Sequence, residues 1–231
     1  MTTNQTIRWI VKPAVFLAAL GPLAWIVWAI LTNNLSPNPL SDITNETGIW
    51  ALRFICITLA VTPLRRVTGW NALVRFRRMT GLFAFFYGSC HFLIYVIADR
   101  FAALDFPDGI VAWSTVTNLA KSVSEDIYKR PFITIGFTAL TLMLPLAVTS
   151  TAGMIRRLGG KRWQALHRLI YGTAIAAVIH YWWLVKADIR SPQRYALIVG
   201  VLLVFRVVWS RFHATVPARP QPASRSASRA S

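Results

Sequence analysis

Six stretches of this chain approach the roughly 20 consecutive apolar residues that an α-helix needs to cross a bilayer. They lie at residues 10–31, 49–64, 79–98, 132–150, 163–185 and 195–212. Inside lipid, helices and closed barrels alone satisfy every backbone hydrogen bond, so stretches of this length predict an all-α integral membrane bundle of six transmembrane helices. The second stretch is short and is expected to extend beyond its apolar limits. A mean hydropathy of +0.48, with 55% hydrophobic residues, agrees with a membrane environment.

The distribution of basic residues predicts the orientation of these helices. Counted over alternating connections, 17 of the 25 lysines and arginines fall on the side of the N-terminus and seven on the other, with Arg53 inside a helix. Cytoplasmic loops carry an excess of basic residues, so both termini are predicted to be cytoplasmic. The net charge of +17 is concentrated at the ends of apolar stretches, which is typical of membrane loops and argues against nucleic-acid binding.

The domain organisation is simple. Residues 1–213 are predicted to form the six-helix transmembrane domain, and residues 214–231 form a basic cytoplasmic tail. The tail is rich in Pro, Ala, Ser and Arg, a composition that predicts disorder. On the other side, residues 32–48 and 99–130 are the predicted docking face for a partner, with a short surface-lying helix expected at 110–124.

Three of the four histidines lie where an unsatisfied imidazole is costly, which makes each a functional hypothesis. His91 lies in the third apolar stretch and His180 in the fifth. Both stretches start on the inner side, and both histidines fall in the outer half. Two imidazoles at one level on neighbouring helices can be the axial ligands of one haem iron, and we predict a b-type haem between them. The competing interpretation is a pair of structural histidines that hydrogen bond between helices.

The third histidine, His167, raises the question of a second, inner haem. It precedes His180 by about 20 Å along an ideal helix, but on a face rotated by roughly 140°. The segments leading to His91 and His180 are weakly similar, and in that alignment Arg78 stands in the place of His167. The second ligand of an inner haem could therefore be His213, Met79 or no protein group.

Basic side chains near the predicted haem levels are candidates for binding anionic groups, because a guanidinium pairs with carboxylates. Arg53, in the outer half of the second stretch, is the candidate for the outer haem propionates. Its alternative role is to reach the outer headgroups. Around His167 lies an inner ring that could bind propionates or a flavin phosphate, or could only enforce topology; its members are Arg75, Arg77, Arg78 and Arg168.

Two runs carry a resemblance to a known family: LRR…RFRRMTGL…YGSCHFLIY and RRLGGKRWQALHRLIYG…IHYWW. They resemble the ferric-reductase-like transmembrane family, and within it the haem-binding membrane subunits of bacterial methionine sulfoxide reductase systems. The resemblance implies a bacterial inner-membrane location and an outer b haem held by His91 and His180, with His167 associated with a second haem. It also implies that FMN can bind. Electrons would come from the quinone pool or a flavin and would pass to a periplasmic molybdopterin-containing reductase that repairs oxidised methionines.

Other functions remain open from the sequence. The chain has no nucleophile, base and acid constellation, so it is expected to transfer electrons without a substrate-converting site of its own. One alternative is a stand-alone ferric-reductase-like oxidoreductase whose nucleotide-binding domain is another polypeptide. Others are a haem-free transporter or proton path that uses the intramembrane histidines, and a simple membrane anchor.

Overall fold

A computed structural model describes residues 3–101, 113–185 and 188–213, and every regular element within these ranges is a helix. The predicted all-α fold class is therefore confirmed. A turn, Thr3–Thr6, and a π-helical turn, Ile7–Val11, lead into the first long helix, and a 3-10 turn, Asn71–Leu73, and a π-helical segment, Tyr95–Phe101, flank the third. The helices are α1 (Lys12–Leu31), α2 (Pro39–Thr68), α3 (Val74–Ile94), α4 (Trp113–Lys129), α5 (Pro131–Val148), α6 (Ala152–Leu158), α7 (Gly160–Leu166), α8 (Leu169–Leu184) and α9 (Arg190–His213).

Five helices in the described part of the chain are long and apolar enough to cross a membrane. They cover Asn4–Leu31, Pro39–Thr68, Asn71–Ala98, Pro131–Val148 and Arg190–Phe212. The predicted second span of residues 49–64 is much longer in the structure and extends in both directions. Asn38 caps its start by accepting the Ser41 N–H at 3.3 Å, and Gly69 ends it at φ 70°.

The fifth predicted span, 163–185, differs from the expectation of one continuous helix. α7 ends at Leu166 and α8 begins only at Leu169. The carbonyl of Trp163 accepts both the backbone N–H and the imidazole N–H of His167, each at 3.0 Å. His167 is therefore the C-cap residue of α7. As a result α8 has 16 residues, about 24 Å at 1.5 Å per residue.

The core lies where α2 packs along α3 and α5 packs along α8. Its fully buried side chains include Ile55, Leu59, Tyr87 and Ala174. The outward faces of α1 and α9 remain apolar and exposed, as at Leu17 (67%) and Leu197 (68%). An apolar outer surface of this kind is what a lipid-facing bundle presents.

The amphipathic helix α4 packs against α5 near its C-terminal end. It corresponds to the surface-lying helix predicted at 110–124, although residues 110–112 lie outside the described part of the chain. On its exposed face, a hydrogen bond from Lys129 lowers the pKa of Glu125. Its polar face and its exposed Trp113 are typical of a helix that lies in a membrane interface.

A proline within α1 is accommodated by a side chain from α3. Pro22 has no N–H, which weakens the hydrogen-bond ladder at this level. The hydroxyl of the fully buried Tyr87 donates to the carbonyl of Ala19 at 2.8 Å and accepts the N–H of Leu23 at 3.2 Å. One phenol therefore bridges two backbone groups that pair with each other in an unbroken helix.

A second proline, in α2, is compensated from α9. Pro63 cannot donate to the carbonyl of Leu59 four residues earlier. Arg206 donates to that carbonyl through Nη2 at 2.6 Å, and through Nη1 to the hydroxyl of Tyr171 at 2.7 Å. An arginine in an apolar helix thus ties α9 to both α2 and α8.

Candidate functional site

The rings of His91 and His180 meet between α3 and α8. Their centroids are 6.0 Å apart and their planes cross at 77°. The predicted meeting of these two imidazoles at one level is therefore confirmed; their binding of iron stays a prediction. Both side chains are partly buried.

Each imidazole is oriented by a backbone carbonyl from a different helix. Nδ1 of His91 donates to the carbonyl of Thr44 in α2 at 2.8 Å, and Nδ1 of His180 donates to the carbonyl of Phe132 in α5 at 2.6 Å. A carbonyl oxygen can only accept, so both rings carry their proton on Nδ1 when neutral. Nε2 of each ring then holds the free lone pair, which is the arrangement in which a histidine binds a metal.

Two glycines allow these rings to approach the neighbouring backbones. A Cβ built on Gly136 would lie 2.6 Å from Nδ1 of His180, and one built on Gly48 would lie 3.0 Å from Nδ1 of His91. The Nδ1 edge of each ring is thus pressed against a glycine. Sequence reasoning missed both positions, although a glycine inside an apolar helix such as α5 signals close packing because it is otherwise unfavourable.

Next to the two rings lies a cavity of about 260 Å³. Its walls are almost entirely apolar and come from α2, α3, α5 and α8; they include Ala51, Leu52, Ile55, Gly88, Phe92, Ile133, Phe137, Leu140, Met143 and Ala177. Tyr95 and Arg130 also line it. The arrangement suits a flat apolar ligand with a few polar groups.

Tyr95 and Arg130 belong to a charged cluster that sequence reasoning did not identify. The carboxylate of Asp126 in α4 accepts the hydroxyl of Tyr95 at 2.5 Å and forms ion pairs with Arg100 at 2.6 Å and Arg130 at 3.2 Å. Asp126 is only 9% exposed. The cluster joins α4 to the segment that follows α3 and fixes an arginine beside the cavity.

Arg53, the predicted partner of the outer haem propionates, does not line this cavity. Its Nε donates to the hydroxyl of Tyr195 at 3.2 Å, and its guanidinium stacks 4.5 Å from the ring centre of Trp50. The side chain thus links α2 to α9, whereas Arg130 is the arginine that lines the cavity.

His167 has the same tautomer as the other two histidines when neutral, because its Nδ1 also donates to a backbone carbonyl. Its Nδ1 donates to the carbonyl of Trp163, whose ring stacks on the imidazole at 3.8 Å, and its Nε2 is buried without a hydrogen-bond partner. Arg77 is close enough to interact electrostatically with His167 and with Arg206. A free imidazole nitrogen and two cations therefore share this inner region of the bundle.

Arg78 faces away from that region. It lines a groove between α1 and α3 together with Lys12, Arg75 and Met79. Consecutive residues of a helix are about 100° apart around its axis, so the side chains of Arg77 and Arg78 cannot both contact the same neighbouring group. The side chain of His213, the other predicted inner ligand, lies outside the described residues.

The chain matches a known family over more than half of its length. Residues 47–179 match the family described as ferric reductase like transmembrane component. The matched region contains His91, Gly136 and His167 and ends one residue before His180.

Bacterial relatives match almost the entire chain. Proteins named "Protein-methionine-sulfoxide reductase heme-binding subunit MsrQ" are 46% identical over 87% of this chain in Herminiimonas arsenicoxydans, 49% over 86% in Ralstonia nicotianae and 43% over 96% in Azospira oryzae. The match covers 86%, 85% and 90% of the relative, respectively. No solved structure matches the chain.

Proposed function

The chain belongs to the ferric-reductase-like transmembrane family, and on that premise we propose that it is a membrane b-type cytochrome subunit of a methionine sulfoxide reductase system. In this role it passes electrons across the bacterial inner membrane to a periplasmic reductase. The observation that carries the proposal is the pair His91 and His180, each with Nδ1 bound to a carbonyl and Nε2 left free.

The spacing of the two rings fits one metal ion between them. Imidazole nitrogens bind metals at about 2 Å, so two rings whose centroids are about 6 Å apart would be near enough to hold one ion between them. The observed separation is 6.0 Å. The apolar cavity beside the rings would line one side of a porphyrin held by His91 and His180.

The residues around the cavity have separate tasks. The carbonyls of Thr44 and Phe132 fix the tautomer of each histidine and increase the electron density on Nε2. The apolar walls exclude water, so that the local environment sets the reduction potential. A bound b haem supplies reversible one-electron chemistry at its iron. Arg130 is placed to pair with a haem propionate, a role that the sequence had suggested for Arg53.

The topology proposed for this function has six spans with both termini in the cytoplasm. The 16-residue α8 is the fifth span in chain order and brings the number of spans from five to six; α7 continues it towards the inner face. Support comes from its tight packing on α5, its apolar sequence and the excess of basic residues on the side of the termini. His91 and His180 then lie in the periplasmic half.

The inner half of the bundle is proposed to receive the electrons. His167, with its free Nε2, and Arg77 are the residues that would hold a second b haem or an FMN. The quinone pool or a flavin is the electron source. The neighbouring cation of Arg206 gives this region the charge that an anionic cofactor needs.

The partner is proposed to be a molybdopterin-containing reductase of the MsrP type. Its docking face consists of residues 32–48 and 99–130, of which residues 102–112 are not described. α4 lies on this face and is connected to the cavity through Asp126 and Arg130. The proposed docking face is therefore linked to the cavity that contains the histidine pair.

A visible spectrum tests the proposal directly. The purified full-length protein should show Soret and alpha bands on reduction with dithionite, and H91A and H180A should each lose the outer haem while still inserting into the membrane. Y128A, at an 89% exposed position outside the cavity lining, is the control variant. A well-folded but colourless protein would favour a haem-free transporter or anchor, and full spectra in both variants would overturn the pairing.

Reconstitution tests the partner. The reduced protein should be reoxidised when an MsrP-type reductase and a methionine sulfoxide substrate are added together. Reoxidation by ferric iron alone, with no response to the reductase, would instead support the stand-alone ferric-reductase-like activity.

A further inference from the structure

A second groove, on the opposite side of α3 from the histidine pair, has features of a separate binding site. It lies between α1 and α3 and has a volume of about 470 Å³. Its nine lining residues are three cations and six apolar residues, none of them acidic: Lys12, Phe16, Leu20, Arg75, Arg78, Met79, Leu82, Phe83 and Phe86.

The charges in this groove are concentrated at one end. On α1 the lining residues Lys12, Phe16 and Leu20 follow each other at intervals of four, so they form one stripe on the helix face. On α3 the stripe likewise begins with arginines and continues with Leu82 and Phe86. Both cationic ends lie near the N-terminal end of their helix, and an apolar channel of about 12 Å leads away from them at 1.5 Å per residue.

The groove is open to its surroundings along the apolar part. Phe16, Leu82 and Phe86 are 47%, 39% and 37% exposed. At the cationic end, Nη2 of Arg75 donates to the side-chain carbonyl of Asn4 at 2.7 Å, which holds this arginine towards α1. Arg75 is thus held at the cationic end of the groove, and the apolar channel leads from this end along exposed apolar side chains.

We propose that this groove binds one anionic phospholipid, with its phosphate between Lys12, Arg75 and Arg78 and one acyl chain along the apolar channel. Charge complementarity favours this occupant, because basic pockets between transmembrane helices recognise anionic headgroups. A quinone has a similar apolar tail, but its neutral head would leave three cations uncompensated. The site is independent of the histidine pair, so it does not depend on the proposed electron transfer.

Native mass spectrometry of the full-length protein tests the proposal, with phosphatidylglycerol as the probe and phosphatidylcholine as its neutral counterpart. The triple variant K12Q/R75Q/R78Q should bind phosphatidylglycerol roughly a hundredfold more weakly, at about one kcal/mol per cation. The matched control R156Q/R157Q/K161Q removes the same charge from an exposed connection and should bind as the wild type does. Equal losses in both triples would overturn the site.

A steric pair of variants keeps the charges unchanged. L82W should fill the apolar channel and weaken phosphatidylglycerol binding, whereas L17W, on the exposed face of α1 outside the groove, should not. If L82W binds phosphatidylglycerol like the wild type, the acyl chain does not lie in the channel and the proposal is wrong.

Competition distinguishes the source of the phosphate. Inorganic phosphate and FMN should fail to displace phosphatidylglycerol at equal concentration, because they lack an acyl chain. Displacement by either, together with its loss in K12Q/R75Q/R78Q, would identify the site as one for a soluble phosphate and would contradict the lipid proposal.

Discussion

At the scale of single residues, the histidine pair is defined by groups that carry no side-chain chemistry. The backbone carbonyls of Thr44 and Phe132 fix the tautomers of His91 and His180. Gly48 and Gly136 allow the two rings to approach the neighbouring backbones. The free nitrogens are therefore a consequence of how α2 and α5 approach α3 and α8. Adding a single methyl group at either glycine should therefore weaken haem binding.

Gly136→Ala should displace His180, because the new Cβ would lie 2.6 Å from Nδ1 and 2.8 Å from Cε1 of its ring. Loss of ligand orientation of this kind typically lowers metal affinity about 10- to 100-fold. Gly48→Ala, with a closest approach of 3.0 Å, should have a smaller effect. Haem retention during gel filtration of the purified variants measures the difference.

The matched control is Gly172→Ala, whose Cβ would meet Leu142 at an ordinary 3.6 Å. It should retain haem like the wild type. Unchanged retention in the Gly136 variant would mean that the ring does not need its present position to bind haem.

At the scale of the helix, the prolines explain why certain polar side chains are buried. Pro22 and Pro63 each disturb a backbone ladder, and in lipid an unsatisfied backbone group is costly. Arg206 donates to the carbonyl of Leu59, which Pro63 leaves without its usual donor, and Tyr87 bonds the backbone groups of Ala19 and Leu23 beside Pro22. The bundle is therefore held together by polar contacts at the points where its helices are least regular.

Tyr87→Phe should destabilise the protein by about 1–3 kcal/mol, because two backbone groups lose their shared hydroxyl in a buried site. Unfolding in mixed micelles with increasing SDS measures this change. Tyr128→Phe, at an 89% exposed position, is the control and should be neutral. Equal stability of both variants would exclude the bridging role of Tyr87.

Arg206→Met should cost about 1.5–3 kcal/mol, since a hydrogen bond from a charged donor to the carbonyl of Leu59 is lost. The decisive measurement is a double-mutant cycle with Pro63→Ala, which returns a backbone N–H to that carbonyl. Arg206→Met should then cost less in the Pro63→Ala background, with a coupling of about 0.5–3 kcal/mol. Strictly additive effects would show that the two residues do not compensate each other; Arg211→Met controls for the loss of charge.

At the scale of the whole molecule, the role of α8 decides the topology. If this helix spans the membrane, the connections before and after it lie on opposite sides; if it does not, they lie on the same side. Electron transfer across the membrane requires the first arrangement, with His180 in the outer half.

Single cysteines should report these sides in a background without Cys56 and Cys90. Asn34→Cys and Asp188→Cys should react with a membrane-impermeant maleimide added outside, and Gly160→Cys should react only after the cells are opened. Protection of Asp188→Cys in intact cells would leave five spans and would contradict the proposed topology.

The sequence alone predicted where the membrane-spanning segments lie and which histidines are the candidate haem ligands. Span length is set by the thickness of the bilayer, and it depends only on the local run of apolar residues. Five of the six predicted stretches coincide with helices of spanning length; four lie entirely within them, and the stretch 132–150 extends two residues beyond Val148. The depth of His91 and His180 followed from the same counting, which is why their meeting could be predicted.

Tertiary structure decided everything that depends on the rotation of each helix about its axis. It placed Arg77 close enough to His167 for an electrostatic interaction, Arg78 in the groove beside α1, Arg130 rather than Arg53 beside the cavity, and Gly136 against His180. It also ended α7 at Leu166, just before His167, whose imidazole and backbone N–H share the carbonyl of Trp163. These features depend on contacts between residues far apart in the chain. The hydropathy pattern does not predict such contacts, because the lipid-facing and core-facing sides of these helices are almost equally apolar.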